Sequence, residues 1–99
     1  YGKWELVSVN GESPVAAEQL YFKTSTSVTL TREGVPYEGQ YQFYCNVLTT
    51  YFEQYQNLFQ EWRVQTMKDS LMRAVVEFRE MNSDTLDAGS VLEYRKIPL

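Results

Sequence analysis

Histidine is absent from this chain of 99 residues, and cysteine occurs once. Without histidine the chain lacks the usual general base at neutral pH, the Ser/His/Asp and Cys/His nucleophile systems and every histidine-containing metal site. A single cysteine forms neither an internal disulfide nor a cysteine-rich zinc site. The sequence therefore predicts a non-enzymatic protein that needs no metal and no cofactor.

The one cysteine, Cys45, ends an aromatic run that includes Phe43 and Tyr44. Free cysteine packs as a small apolar residue and is among the most buried residue types. We predict a buried, unreactive thiol at this position, which is compatible with both a reducing and an oxidising compartment.

Positive charge and long apolar runs are also scarce. The chain has nine basic and thirteen acidic residues, a net charge of −4, and its basic residues stand singly except at Arg95-Lys96. Nucleic acids and anionic membrane surfaces are bound through basic patches, and a membrane-spanning helix needs about 20 consecutive apolar residues. The sequence predicts no nucleic-acid partner and no transmembrane segment.

Aromatic residues are abundant instead, at 15% of the chain, and they occur in segments whose apolar residues alternate with polar ones. Such alternation predicts half-buried β-strands, which we place at residues 2–9, 19–23, 27–32, 37–45, 71–80 and 91–97. Residues 1–99 have the size of one domain. Two further strands, described in the next paragraph, bring the total to about eight. This number of short strands predicts an all-β fold, a small antiparallel up-and-down β-barrel.

The segment from Val47 to Trp62 fits two periodicities. Tyr51, Tyr55 and Trp62 fit helical spacing, whereas alternate residues from Val47 to Tyr55 also share one face of a strand. The β-branched and aromatic composition favours two strands, 47–56 and 60–67, joined near Asn57.

Gly2 and Trp4 open the first predicted strand, and Arg95 lies in the last. This arrangement resembles the Gly-x-Trp motif and the closing-strand arginine of the lipocalin and calycin barrels. The segments 39–43, 62–64 and 85–95 are similar to those of short lipocalin-like domains of Bacteroidetes cell-envelope proteins. The resemblance implies that Trp4 plugs one end of the barrel and that Arg95 lies across its ring.

A second resemblance gives an alternative. Residues 4–11 and the later pair Cys45-Asn46 are similar to the META-type domain of envelope lipoproteins. This resemblance implies a structural or protein-interaction domain, which would form homo-oligomers through exposed aromatic residues such as Tyr21, Tyr44 and Phe59.

Three aromatic residues and one carboxylate are candidate ligand-binding residues. Tyr41, Phe43 and Tyr51 form either the floor of an aromatic pocket or part of a packed core. Glu53 lies between Tyr51 and Tyr55 on one strand face; burial there would raise its pKa, whereas an outward face would leave it solvated.

Arg63 and Arg73 are the candidate cationic residues, because they fall on successive predicted strands and would converge on a ligand carboxylate. The alternative is a surface ion pair with an acidic residue of the neighbouring strand, Glu61 or Glu77.

Taken with the lipocalin resemblance, these residues predict a module that binds a small apolar or aromatic molecule. The resemblance implies a location in the cell envelope or periplasm. Because the chain opens at Tyr1 without a methionine, we expect a mature form, such as an outer-membrane lipoprotein whose leader has been removed.

Overall fold

The fold is all-β, as predicted. The computed structural model describes residues 2–82, 84–85 and 88–98, so the turns predicted around 82–84 and 87–90 are described only in part. The described residues contain no helix long and apolar enough to cross a bilayer. They form nine strands: β1 (Gly2–Val9), β2 (Glu18–Phe22), β3 (Ser27–Arg32), β4 (Val35–Tyr44), β5 (Val47–Phe52), β6 (Leu58–Met67), β7 (Leu71–Met81), β8 (Asp84–Thr85) and β9 (Val91–Ile97).

Strand pairing closes the sheet into a barrel. Strands β1 to β7 pair in chain order, each antiparallel to the next, and β9 pairs with both β7 and β1. The two-residue strand β8 is an addition that pairs with β7 outside this ring. The eight-stranded antiparallel barrel predicted from the sequence is thus confirmed, and closure leaves these strands without long unpaired edges.

Tight turns with positive φ angles connect several strands. Glu33 and Gly34 (φ 52° and 82°) join β3 to β4, and Cys45 and Asn46 (φ 51° and 64°) join β4 to β5. Two-residue turns with positive φ at both positions match the twist of antiparallel strands. The prediction of a buried Cys45 is therefore wrong: the alternation of β4 stops one residue earlier, and Cys45 is exposed in the turn.

The segment from Val47 to Met67 forms two strands and no helix, which confirms the interpretation that its composition favoured. β5 ends at Phe52, earlier than expected, and the chain turns through residues 53–57 before β6 begins at Leu58. Positive φ angles at Gln56 and Asn57 (53° and 54°) and a hydrogen bond from Asn57 N to Glu53 O (3.2 Å) form this turn.

Large side chains fill the middle of the barrel. Trp62, Tyr94 and Phe52 are among the largest fully buried residues, and the Trp62 and Tyr94 rings stack with their centroids 5.5 Å apart. An eight-stranded barrel is only wide enough for its own side chains or one small ligand. The centre of this one is occupied, and the cavities that bear on function lie toward its two ends.

Candidate functional site

One end of the barrel, here called the Trp4 end, is formed by the first residues of β1, β3, β5 and β7 and the last residues of β2, β4, β6 and β9. Trp4 points inward there and is buried. The Nζ atom of Lys96 lies 5.8 Å from the centroid of its indole ring. A cation over an aromatic face is attracted by the ring quadrupole.

Gly2 leaves room for this contact. Its φ of +129° is rarely adopted by other residues, and a Cβ atom at this position would lie 2.9 Å from Lys96 Cε. The absence of a side chain at Gly2 therefore lets the Lys96 stem cross the barrel end and reach Trp4.

The implied position of Arg95 over Trp4 is wrong. In the β1–β9 register Trp4 is opposite Lys96, whereas Arg95 is opposite Glu5. Successive side chains of a strand point to opposite faces, so Arg95 points outward, where its Nη2 donates a hydrogen bond to Glu5 Oε1 (2.7 Å). The basic residue over the indole is the next one along the chain.

An apolar cleft of about 180 Å³ opens at the Trp4 end. Its lining consists entirely of apolar and aromatic side chains: Trp4, Phe22, Tyr41, Phe43, Leu48, Met67 and Met72. Phe43 and Met67 remain 46% and 52% exposed at its rim. The name "apolar cleft" is used below for this set of residues.

Tyr41 and Phe43, two of the three predicted aromatic site residues, therefore share a cavity. Tyr41 packs edge-on against Phe22 with the ring centroids 4.8 Å apart, and its hydroxyl donates a hydrogen bond to Thr24 O (2.6 Å). These two contacts fix the position of the Tyr41 ring in the cleft wall.

Tyr51 and Glu53 lie on the outer surface. Tyr51 therefore belongs neither to a pocket floor nor to a core with Tyr41 and Phe43, and Glu53 has the outward position that was its alternative. In the β4–β5 register Tyr51 is opposite Gln40, and both face outward. Glu53 is exposed in the turn that follows β5. Both residues line an outer groove of about 310 Å³, together with Glu38, Gly39, Gln40 and Gln54. Two carboxylates and two amides make this groove unsuitable for an apolar ligand.

Arg63 and Arg73 do not converge on a common point. Arg63 Nε donates a hydrogen bond to Glu77 Oε2 (2.8 Å), which confirms the alternative of a cross-strand pair. Arg73 Nη2 donates to Glu93 Oε2 (2.8 Å). Both arginines lie half-exposed on the outer face. Hydrogen bonds from Ser8 and from Arg73 lower the pKa of Glu93.

The opposite end of the barrel holds a polar cluster that the sequence did not predict. Glu18 Oε1 is 2.9 Å from Arg32 Nη1, and Glu18 Oε2 accepts a hydrogen bond from the Tyr94 hydroxyl (2.5 Å). Beside them, Arg79 Nε donates to Gln60 Oε1 (2.8 Å). Two cavities of about 160 and 180 Å³ border Glu18, Arg32 and Arg79. The available signal was strand register, because Glu18 shares the face of buried Leu20 and Phe22.

The Tyr94 hydroxyl makes this cluster sensitive to alkali. Burial, followed by the charge of Glu18, raises the pKa of Tyr94 well above its ordinary value of 10.0. A raised pKa means that the neutral phenol stabilises the fold below the unfolded-state pKa, and that this stability is lost progressively as the pH rises above it.

We expect the free energy of unfolding to fall more steeply above pH 10 in the wild type than in Tyr94→Phe. Urea titrations at a series of pH values measure the difference, and equal slopes would contradict it; Tyr44→Phe, at an exposed ring, is the control.

Comparison with protein-family models, with curated proteins and with solved structures found no match to this chain. The site must therefore be interpreted from its own geometry. Among the described residues no group of acidic and cysteine side chains is arranged to hold a metal ion. The apolar cleft differs in chemistry from the outer groove and from the cavities at the polar cluster, which charged and amide side chains line.

Proposed function

We propose that this chain is a non-enzymatic, lipocalin-like binding module that holds a small apolar or aromatic molecule in the apolar cleft. One observation carries the proposal: every lining residue is apolar or aromatic, and two of them stay about half-exposed at the rim. Exposed apolar side chains that surround a concave surface are typical of ligand-binding grooves.

The volume of the cleft limits the size of the ligand. An apolar cavity of about 150 Å³ holds a benzene molecule, whereas pockets for drug-sized ligands are about 300–1,000 Å³. The apolar cleft, at about 180 Å³, falls near the lower value. A ligand with one aromatic ring or a short branched chain fits, and a steroid or a long acyl chain does not.

The lining residues suit such a ligand in two ways. Trp4, Phe22 and Tyr41 present ring faces and edges, which favour offset or edge-on packing against another ring. Met67 and Met72 add flexible thioethers, which adapt to irregular shapes and contact aromatic rings favourably.

Phe43→Ser tests the proposal with toluene as the probe. Phe43 is half-exposed, so its replacement removes part of the cleft wall without opening the core. Losing about 1 kcal/mol of apolar contact weakens binding about fivefold. Tyr44→Ser is the matched control, because Tyr44 is adjacent, 74% exposed and outside the cleft. Amide chemical shifts followed during the titration give the affinity and the location of binding.

The proposal is wrong if toluene shifts no amides around Trp4, Phe43 and Met72, or if Phe43→Ser and Tyr44→Ser bind it equally. A toluene site at the polar cluster would also contradict it.

Self-association is the second candidate function, and the exposure of Tyr44 favours it. Of the three aromatic residues predicted to mediate it, Tyr21 and Phe59 are half-buried, and Phe59 packs against Phe78 with the centroids 5.9 Å apart. Tyr44 alone remains strongly exposed, beside Phe43. Sedimentation velocity of the wild type and of Tyr44→Ser distinguishes a dimer formed through this residue from a monomer.

The lipocalin-like family and the cell-envelope location remain predictions that rest on the sequence resemblance. Fractionation of cells that express the complete gene product tests the location directly.

A further inference from the structure

We propose that the molecule bound in the apolar cleft is an aromatic or short branched carboxylic acid, and that the Lys96 ammonium binds its carboxylate. This inference rests on the proposed function, because it specifies the chemical class of the ligand of the same site.

The first observation concerns the ion pairs of five other basic residues. Ion pairs with carboxylates occupy Lys23, Arg32, Arg63, Arg73 and Arg95. Lys3, Lys68 and Lys96 belong to none of these pairs within the described ranges, and of these three only Lys96 lies over the Trp4 ring. A positive charge therefore stands beside the indole that lines the cleft, with its capacity for a charge-assisted hydrogen bond unused.

The second observation is how the Lys96 side chain is held. The stem passes close over Gly2, where a Cβ atom would lie 2.9 Å from Lys96 Cε and would displace the lysine side chain from this position. Its Nζ atom is thereby placed 5.8 Å from the indole centroid, although the residue itself is exposed to solvent. A ring in van der Waals contact with the indole lies about 3.5–4 Å from it. We therefore expect a carboxylate one or two bonds beyond that ring to come within reach of the flexible Lys96 ammonium.

The third observation is the absence of competing charge in the cleft. None of its described lining residues is acidic or basic. The lining thus selects the apolar part of a ligand. Lys96, which lies over the Trp4 ring, supplies the charge that distinguishes an acid from a neutral compound of the same shape. Because Lys96 is exposed and solvent screens its charge, the expected preference is modest, about fivefold.

Phenylacetate and phenylacetamide form a matched pair of probes, since they differ almost only in charge. We expect phenylacetate to bind the wild type about fivefold more tightly at low ionic strength, with the preference shrinking as salt is added. Lys96→Met keeps most of the apolar stem and removes the charge, so it should bind both compounds equally.

Lys3→Met is the control variant, because Lys3 lies between Gly2 and Trp4 in β1 and its side chain points to the opposite face of the strand from Trp4. It removes the same charge from the same end of the barrel and should keep the preference for phenylacetate. Amide spectra that match the wild type outside the substituted positions establish that both variants fold.

The binding results distinguish a wrong carboxylate assignment from a failure of the proposed function, on which the assignment rests. If toluene binds in the cleft but phenylacetate and phenylacetamide bind the wild type equally, the carboxylate assignment is wrong and the proposed function stands. Equal loss of the preference in Lys3→Met and Lys96→Met also overturns the assignment. If neither toluene nor the two probes bind in the cleft, the proposed function itself fails.

Discussion

Gly39→Ala is expected to destabilise the barrel by at least about 3 kcal/mol, more than a typical overpacking substitution in a core. A Cβ atom at Gly39 would lie 2.3 Å from Phe52 Cδ1 and 2.5 Å from Tyr51 O. Phe52 is completely buried, so its ring has no free space to enter. Tyr51 O belongs to the backbone of the neighbouring strand, which moves only if the pairing of β4 and β5 is disturbed.

Urea denaturation of the variant measures this loss, and Gln40→Ala is its control because Gln40 is exposed on the same strand. The double variant Gly39→Ala/Phe52→Ala tests the cause. Residues in contact give non-additive effects, so the double variant should lose less stability than the two single variants together. A Gly39→Ala protein within about 0.5 kcal/mol of the wild type would show that the sheet absorbs the new methyl group.

The strands could be predicted from the sequence because local signals agreed. Alternating residues bounded by turn-forming residues gave the limits of β1, β3 and β9 as the structure has them. Closure into an eight-stranded barrel followed from the number and spacing of the strands. These features depend on residues close together in the chain.

The direction of individual side chains depended on register between strands, which the local pattern does not determine. Arg95 and Lys96 are adjacent, and only the pairing of β9 with β1 decides which one lies opposite Trp4. Tyr51 resembled a lumen residue because it shares one strand face with Val47 and Tyr55 in the predicted alternation. The turn at Cys45-Asn46 pairs it instead with outward-facing Gln40.

The polar cluster was missed for a different reason. Glu18 and Arg32 are charged residues at strand ends, where exposure is the ordinary expectation. Their direct pairing across β2 and β3, together with the Tyr94 hydroxyl, lets the barrel accommodate them on its inner face. Such compensation between residues far apart in sequence becomes visible only when the strands are assembled.

Trp62→Ala is expected to cost about 3–5 kcal/mol, the range found when a large buried aromatic residue is truncated. Trp62 is 1% exposed and stacks on Tyr94 in the middle of the barrel, so its removal leaves a cavity that the closed sheet cannot collapse to fill. Urea denaturation followed by circular dichroism measures the change without relying on tryptophan fluorescence.

Trp62→Phe separates the volume of the side chain from its polar atom. The buried Nε1 of Trp62 has no hydrogen-bond partner among the described residues, and an unsatisfied buried donor costs about 1–3 kcal/mol. Phenylalanine keeps a ring and removes this donor, which offsets part of the lost packing. We therefore expect a loss below about 1.5 kcal/mol. A Trp62→Phe protein as unstable as Trp62→Ala would contradict this division.

The cavity in Trp62→Ala also bears on why ligand binding is proposed at the barrel end. Apolar cavities made by truncation stay dry and bind small aromatic molecules. If side chains are what exclude ligands from the lumen, toluene should occupy the new space in Trp62→Ala. A ligand that binds only the folded state stabilises it by mass action. Toluene should therefore stabilise Trp62→Ala more than the wild type at equal concentration. Equal stabilisation of the two proteins would mean that the barrel centre is closed to ligands for some reason other than Trp62.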